Sequence, residues 1–392
     1  MVRGPSRRNV LAGAAAVAAG CGWPRQENRG QALAAILRAP NDPIAPLVAQ
    51  LQQGATLEDI ARAVTDVAIT SCHSEAGNPL GMVSHAFLGV SPALALARQL
   101  PKVRAPIPVL CCAAFVAAEA KRSPYGPTPF ALSDAAKPAH TNLDAALDAL
   151  DVEAADRIVA HTPADQGLGL VRAAALRRFG HLGHGLLFVA GGVQLTELLS
   201  IPLSTTLRPA ARYLASYAVP SAPVIPGNPD LGSVGRWLLG VKHVDMGVVH
   251  ALTSSVALMA VPPPERPDWP RRFRAGQTEL GEIAVRDAPI TERKGTLDDL
   301  SRALAGSDGD SAAALTLTLH RDRTARALIV EHAIAGAQAT FQHTTKATAA
   351  ALLTSGPAFL AAAVRMVAGS AMDSKTIYPR VCAALELDPV ST

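Results

Sequence analysis

Apolar residues recur every three to four positions along most of the chain, and no stretch keeps the period-two alternation of a half-buried strand. Leu57, Ile60, Ala61, Val64, Val67 and Ala68 fall on one face of a predicted helix running to about Cys72. Thr56-Leu57-Glu58-Asp59 in front of it has the form of an N-terminal capping box. The same periodicity predicts helices over about 80–99, 107–121, 142–150, 152–161, 167–199, 205–217 and 233–259, and a last group over about 311–353, 356–369 and 374–386. Proline-rich stretches at 122–140, 220–232 and 262–274 interrupt them. The pattern is that of an all-α protein, an Ala/Gly-rich multi-helix bundle forming a single large domain. Its expected parts are a leader (1–21), a linker (22–29), a helical domain (30–261), a polar excursion (262–309) and C-terminal helices of the same domain (310–392).

Composition sharpens this picture. The 392 residues are 49% hydrophobic and only 17% charged, which excludes a disordered chain. Alanine, the best helix former, is the commonest apolar residue, and aromatics make up 4%, so the helices are expected to pack closely through small side chains. The formal net charge of +4 resides in residues 1–30, where Arg3, Arg7, Arg8, Arg25 and Arg29 face only Glu27. The remainder is neutral and lacks the clustered basic face that binding to nucleic acid by counterion release requires.

Ser6-Arg7-Arg8-Asn9-Val10-Leu11, an apolar run over 12–19 and Gly20-Cys21 have the basic, apolar and small-residue order of a bacterial export signal. The paired Arg7 and Arg8 make it resemble a twin-arginine leader. At about 1.5 Å per residue the apolar run is too short for a bilayer core of about 30 Å. Ala18-Ala19-Gly20-Cys21 resembles a lipoprotein processing box that would make Cys21 an acylated N-terminus; cleavage nearby by an ordinary signal peptidase is the alternative. The resemblance implies the twin-arginine translocase as export partner and a location in the periplasm or cell envelope, with membrane attachment only through a lipid anchor at Cys21. It also implies a passenger that folds before export, often around a cofactor.

No phosphate loop, dinucleotide fingerprint, HExxH, GxSxG or EF-hand loop occurs, no CxxC pair supports structural zinc, and no CxxCH supports attached haem. What stands out is histidine inside apolar, small-residue helices. His85 has Gly81 and Gly89 four residues to either side; His181 and His184 are one turn apart; His243 and His250, and His332 and His343, have spacings that share a helix face. Glycine disfavours a helix interior by about 1 kcal/mol against alanine, so its frequency around these histidines points to helices brought close together. Any one of them can be a hydrogen-bonded core residue. Several on inward faces point to use, because imidazole is costly to bury unpaired and titrates near neutrality. Glu119, Glu197, Asp245 and Glu331 are carboxylates that could join them, although the absence of an ExxH pair disfavours a di-iron carboxylate site.

The string Arg177-Arg178-Phe179-Gly180-His181-Leu182-Gly183-His184-Gly185, the string Val249-His250-Ala251-Leu252-Thr253-Ser254-Ser255 and His343-Thr344-Thr345-Lys346-Ala347 resemble a group of bacterial exported helical proteins. More distantly they are similar to the questin-oxidase-like family, whose members open polyketide anthraquinone rings oxidatively. The similarity covers about residues 55–370 by order of motifs. It implies functional positions at His85, His184, His250 and His343, with Arg177 and Lys346 beside them. The chain departs from the family pattern at Gly185, in place of a basic residue, and at Thr344, in place of an acidic one.

The expected function is an exported enzyme with an internal histidine cluster, a metal-assisted or acid/base oxidoreductase acting on a small apolar organic molecule. His85, His184, His250 and His343 would be ligands of a transition metal or general acid/base groups, and Lys346 or Arg177 would neutralise an enolate or carboxylate. The alternative is a non-catalytic periplasmic lipoprotein binding an apolar ligand or a partner protein. Histidines converging on one cavity would favour the first; histidines scattered over separate surfaces would favour the second.

Overall fold

The computed structural model describes residues 23–71, 85–122, 140–179, 183–258 (with breaks at 217, 220, 222, 226, 228–230 and 243–245), 261–268, 285–336, 343–354, 356–368 and 377–390. Arg7, Arg8 and Cys21 of the leader, and His181, His243 and Asp245, lie outside the described residues. The first helices are α1 (Trp23–Arg38), α2 (Ile44–Gln52), α3 (Leu57–Ser71), α4 (His85–Ala97) and α5 (Pro106–Arg122). Next come α6 (Leu143–Asp148), α7 (Val152–His161), α8 (Ala164–Arg177), α9 (His184–Leu199), α10 (Leu203–Thr206) and α11 (Arg208–Ala215). The remainder are α12 (Leu231–Gly240), α13 (Met246–Ala257), α14 (Leu297–Ala305), α15 (Gly309–Leu319), α16 (Arg323–Ala335), α17 (His343–Leu352), α18 (Pro357–Ala368) and α19 (Ile377–Ala384). Among the described residues there is no sheet, only one isolated antiparallel bridge between Val241 and Val285, so the fold is all-α. None of the described helices is long and apolar enough to cross a membrane.

Local chemistry sets the helix ends. The box ahead of α3 forms: Asp59 donates its backbone N–H to the Thr56 hydroxyl (3.1 Å) and its carboxylate accepts from the Thr56 N–H (3.0 Å). Two expectations are corrected. The helix expected over 167–199 is two helices, because Gly183 takes a left-handed φ of 79° between α8 and α9. A β-carbon there would sit 2.7 Å from both the Phe179 ring and the Ser254 hydroxyl, so only glycine fits the turn. The helix expected over 311–353 is three, since Asp322 caps α16 by accepting from the Thr324 and Ala325 N–H groups and Gly336 closes it. His332 and His343 therefore stand on different helices and do not share a face. The end of the polar 262–309 segment forms α14, opened by a Thr296–Asp299 capping box and burying Leu300 and Leu304.

Two apolar clusters make up the core. One is built mainly from α1–α5 with parts of α7, α9 and α11; the other mainly from α12–α18. Helix α9 supplies Phe188, Val189 and Leu195 to the first and Leu186 and Ala190 to the second, and α17 likewise divides Ala349 from Ala347 and Ala351. At this seam α4 packs on α9, α9 on α13, α13 on α17 and α17 on α4, closing a ring of four helices. Small residues allow the approach. A β-carbon on Gly192 of α9 would lie 2.7 Å from the Thr206 carbonyl oxygen, a backbone atom that cannot swing away. Gly192→Ala is expected to destabilise the fold by about 1–3 kcal/mol through overpacking, read as a lowered urea midpoint at unchanged slope.

On the outer side of α9, Asp156 of α7 is fully buried. It accepts from Arg208 (2.8–3.2 Å) and from Arg212 Nε (2.6 Å), and Arg212 also donates to the Ile69 carbonyl of α3. This clamp ties α3, α7 and α11 together and fixes α11, whose next residue, Tyr213, reaches the site.

Candidate metal centre

Each helix of the four-helix ring contributes one histidine: His85 from α4, His184 from α9, His250 from α13 and His343 from α17. The imidazoles repeat the ring of helices. Centroid separations are 5.1 Å for His85–His184, 4.6 Å for His184–His250, 5.2 Å for His250–His343 and 5.5 Å for His343–His85. His184 Nε2 lies 3.2 Å from His85 Nε2 and 3.2 Å from His250 Nε2. Ligating nitrogens of His85, His250 and His343 all fall within 4.8 Å of one another.

An imidazole nitrogen has a single in-plane valence, a proton or a lone pair. His184 Nε2 therefore cannot form linear hydrogen bonds to two other Nε2 atoms. Lone pairs shared with a cation would accommodate both separations. Metal–nitrogen bonds of about 2.0–2.1 Å in a tetrahedral site put neighbouring nitrogens about 3.3 Å apart, close to the 3.2 Å separations here.

Electrostatics keeps lone pairs available. Burial, then the neighbouring Lys346 and the other imidazoles, hold His85 far below the usual histidine range. Burial, Lys346 and His250 push His343 down to about 2. Both are neutral at physiological pH, the form that binds metal. The sequence-nominated carboxylates are engaged or exposed: Glu331 pairs with Arg104 at 2.5 Å, Glu119 with Arg122 at 3.3 Å, and Glu197 is exposed. Among the described residues the donor set is thus all nitrogen, which suits zinc, copper, nickel or iron over magnesium or calcium.

Lys346 lies one turn beyond His343, 5% exposed, and its Nζ has no hydrogen-bond partner among the described residues. Burial lowers its ammonium to about 7. It lines an apolar cleft of about 60 Å³ between α4, α9, α13 and α17. Thr253, one turn beyond His250, lines it too. Arg177 is placed differently. It ends α8 with its guanidinium on Asp144 at 2.8 Å, because the chain turns at Gly183 between it and His184.

No family model, curated protein or solved structure matches the chain. The site is therefore read from its own geometry. Tyr213 was not nominated by sequence. Its ring lies 5.9 Å from His184 and stacks at 4.9 Å on Phe188, and the only hint was that the chain has four tyrosines. On α17, Thr344, Thr345, Lys346 and Thr348 are all buried, which the nomination of Lys346 alone did not foretell for the threonines. Thr344 donates to the Ala333 carbonyl at 2.8 Å, tying α17 to α16. At Gly185 a β-carbon would lie 2.8 Å from Leu214, so the position has no room for a long basic side chain without repacking.

Proposed function

We propose that the protein is a metal-dependent enzyme of the oxidoreductase class, acting on a small apolar organic molecule that enters through the cleft. The observation that carries this reading is the ring of four imidazoles, with His184 Nε2 3.2 Å from His85 Nε2 and from His250 Nε2, on the same four helices that line an apolar cleft. A first-row transition ion held there would supply a Lewis acid or redox centre, and the chain's own part is to keep its ligands neutral, exclude water with aliphatic walls and present Lys346 to developing negative charge. The redox class is supported by the questin-oxidase-like motifs around His184, His250 and His343. The twin-arginine resemblance of the leader supports metal loading and folding before export to the periplasm or envelope, with a lipid anchor at Cys21.

Metal content of the full chain, purified from the export route and measured by mass spectrometry, tests this. About one transition ion per chain is expected, with affinity falling roughly hundredfold or more in His184→Ala and in His250→Ala while helical content persists. Protein that takes up no zinc, copper, iron or cobalt, with both variants indistinguishable from wild type in stability and ligand binding, would sink the reading and favour a non-catalytic binding protein.

A further inference from the structure

The walls of the cleft are aliphatic. Leu88, Ala95, Leu187, Ala190, Val256 and Ala349 form most of them, no aromatic side chain is among the described lining residues, and half-exposed Leu353 stands at the solvent side. Lys346 Nζ is buried without a hydrogen-bond partner or a neighbouring carboxylate among the described residues. The other polar lining groups, Ser91, Gln194 and Thr253, bring no counter-charge. We propose that the cleft binds an aliphatic carboxylate of medium chain length, its tail along the apolar walls and its carboxylate on Lys346 Nζ beside the imidazole ring.

This names the substrate class for the enzyme reading above and rests on it. A hydrocarbon of the same shape would leave the buried Nζ unsatisfied, an alcohol would offer it only an uncharged acceptor, a cation would meet like charge, and an aromatic ligand would find no ring to stack on. A carboxylate supplies the missing acceptor as a charge-assisted hydrogen bond.

Calorimetric titration of the full chain with decanoate and with 1-decanol, which share a tail and differ in charge, tests the assignment. Decanoate is expected to bind about tenfold or more tightly than decanol, the difference of one charge-assisted contact. Lys346→Met is expected to bring that ratio to about one, and Lys346→Arg to preserve it. Titrations are run on protein as purified and again after dialysis against EDTA. A preference that depends on Lys346 in both preparations supports the proposal whether or not a metal is held. A preference that survives Lys346→Met but vanishes with EDTA places the carboxylate on a metal and overturns it, as does equal affinity for both ligands in the wild type. Ala350→Phe fills the cleft and is expected to weaken both ligands alike; undiminished decanoate binding there puts the anion elsewhere and also overturns the assignment.

Discussion

Asp156→Ala is expected to cost about 3–5 kcal/mol, the loss seen when one partner is removed from a buried ion pair. The carboxylate is fully buried and shared by two guanidiniums, Arg208 and Arg212, four residues apart on α11. Removing it leaves two cations facing each other at the α7–α11 contact, and the Arg212 link to the Ile69 carbonyl loses its anchor. The damage should extend to the site, because Tyr213 follows Arg212 and stacks against Phe188 in front of His184. Urea unfolding of wild type, Asp156→Ala and Asp156→Asn measures the effect. Asn keeps the shape and some hydrogen bonds without the charge, so it should fall between the other two. An Ala variant within about 1 kcal/mol of wild type would show that the clamp contributes nothing net, as exposed ion pairs commonly do.

Stability of metal-free protein is expected to fall steeply on acidification from pH 6.5 to about 5. The unfolded chain protonates His85 and His343 near pH 6.5, whereas the folded chain resists far lower, to about 2 for His343. Below 6.5 the unfolded state therefore binds more protons, and each such imidazole removes about 1.4 kcal/mol per pH unit, or at most about 4 kcal/mol for the pair across this window. Above 6.5 neither state takes up protons at these groups, and the slope that remains from about 7 upward belongs to Lys346, whose ammonium the fold holds down to about 7, so that stability continues to rise there. On the acid side the carboxyls of Glu119 and Glu331, which burial raises, act in the opposite sense and blunt the fall. Urea midpoints at pH 7.5, 6.0 and 5.0 provide the test, and His85→Gln/His343→Gln should remove most of the slope. Saturating zinc should move the transition to lower pH, because protons must then displace a ligand bound only by the native state. A stability curve flat from pH 7 to 5 in the metal-free protein would contradict neutral imidazoles at this site.

How much of the site was legible in the sequence depends on how far apart its parts lie. His85, His184, His250 and His343 stand out because each sits in an apolar, glycine-containing context, and that signal is local. The pairings suggested by spacing are a different matter. His332 and His343 have helical spacing, but the chain leaves the helix at Gly336. Arg177 is close to His184 in sequence, yet the left-handed turn at Gly183 lies between them and its guanidinium goes to Asp144. The partners that matter are remote: His184 meets His250 across 66 residues and His85 across 99. Tyr213 carries no local mark at all, since its role comes from the Asp156 clamp and from Phe188.

The sequence by itself determined the helical class, many of the helix limits and the identity of the unusual residues. Periodicity, alanine content and capping boxes such as Thr56–Asp59 and Thr296–Asp299 act within a few residues of chain. Only the tertiary structure decided that α4, α9, α13 and α17 close into a ring at the seam of two cores, which brings four separate histidines together and leaves Lys346 lining a cleft. The physical reason is that burial and convergence follow from which apolar faces find each other across long stretches of chain, and glycines such as Gly192 set only how closely they meet, not which ones do.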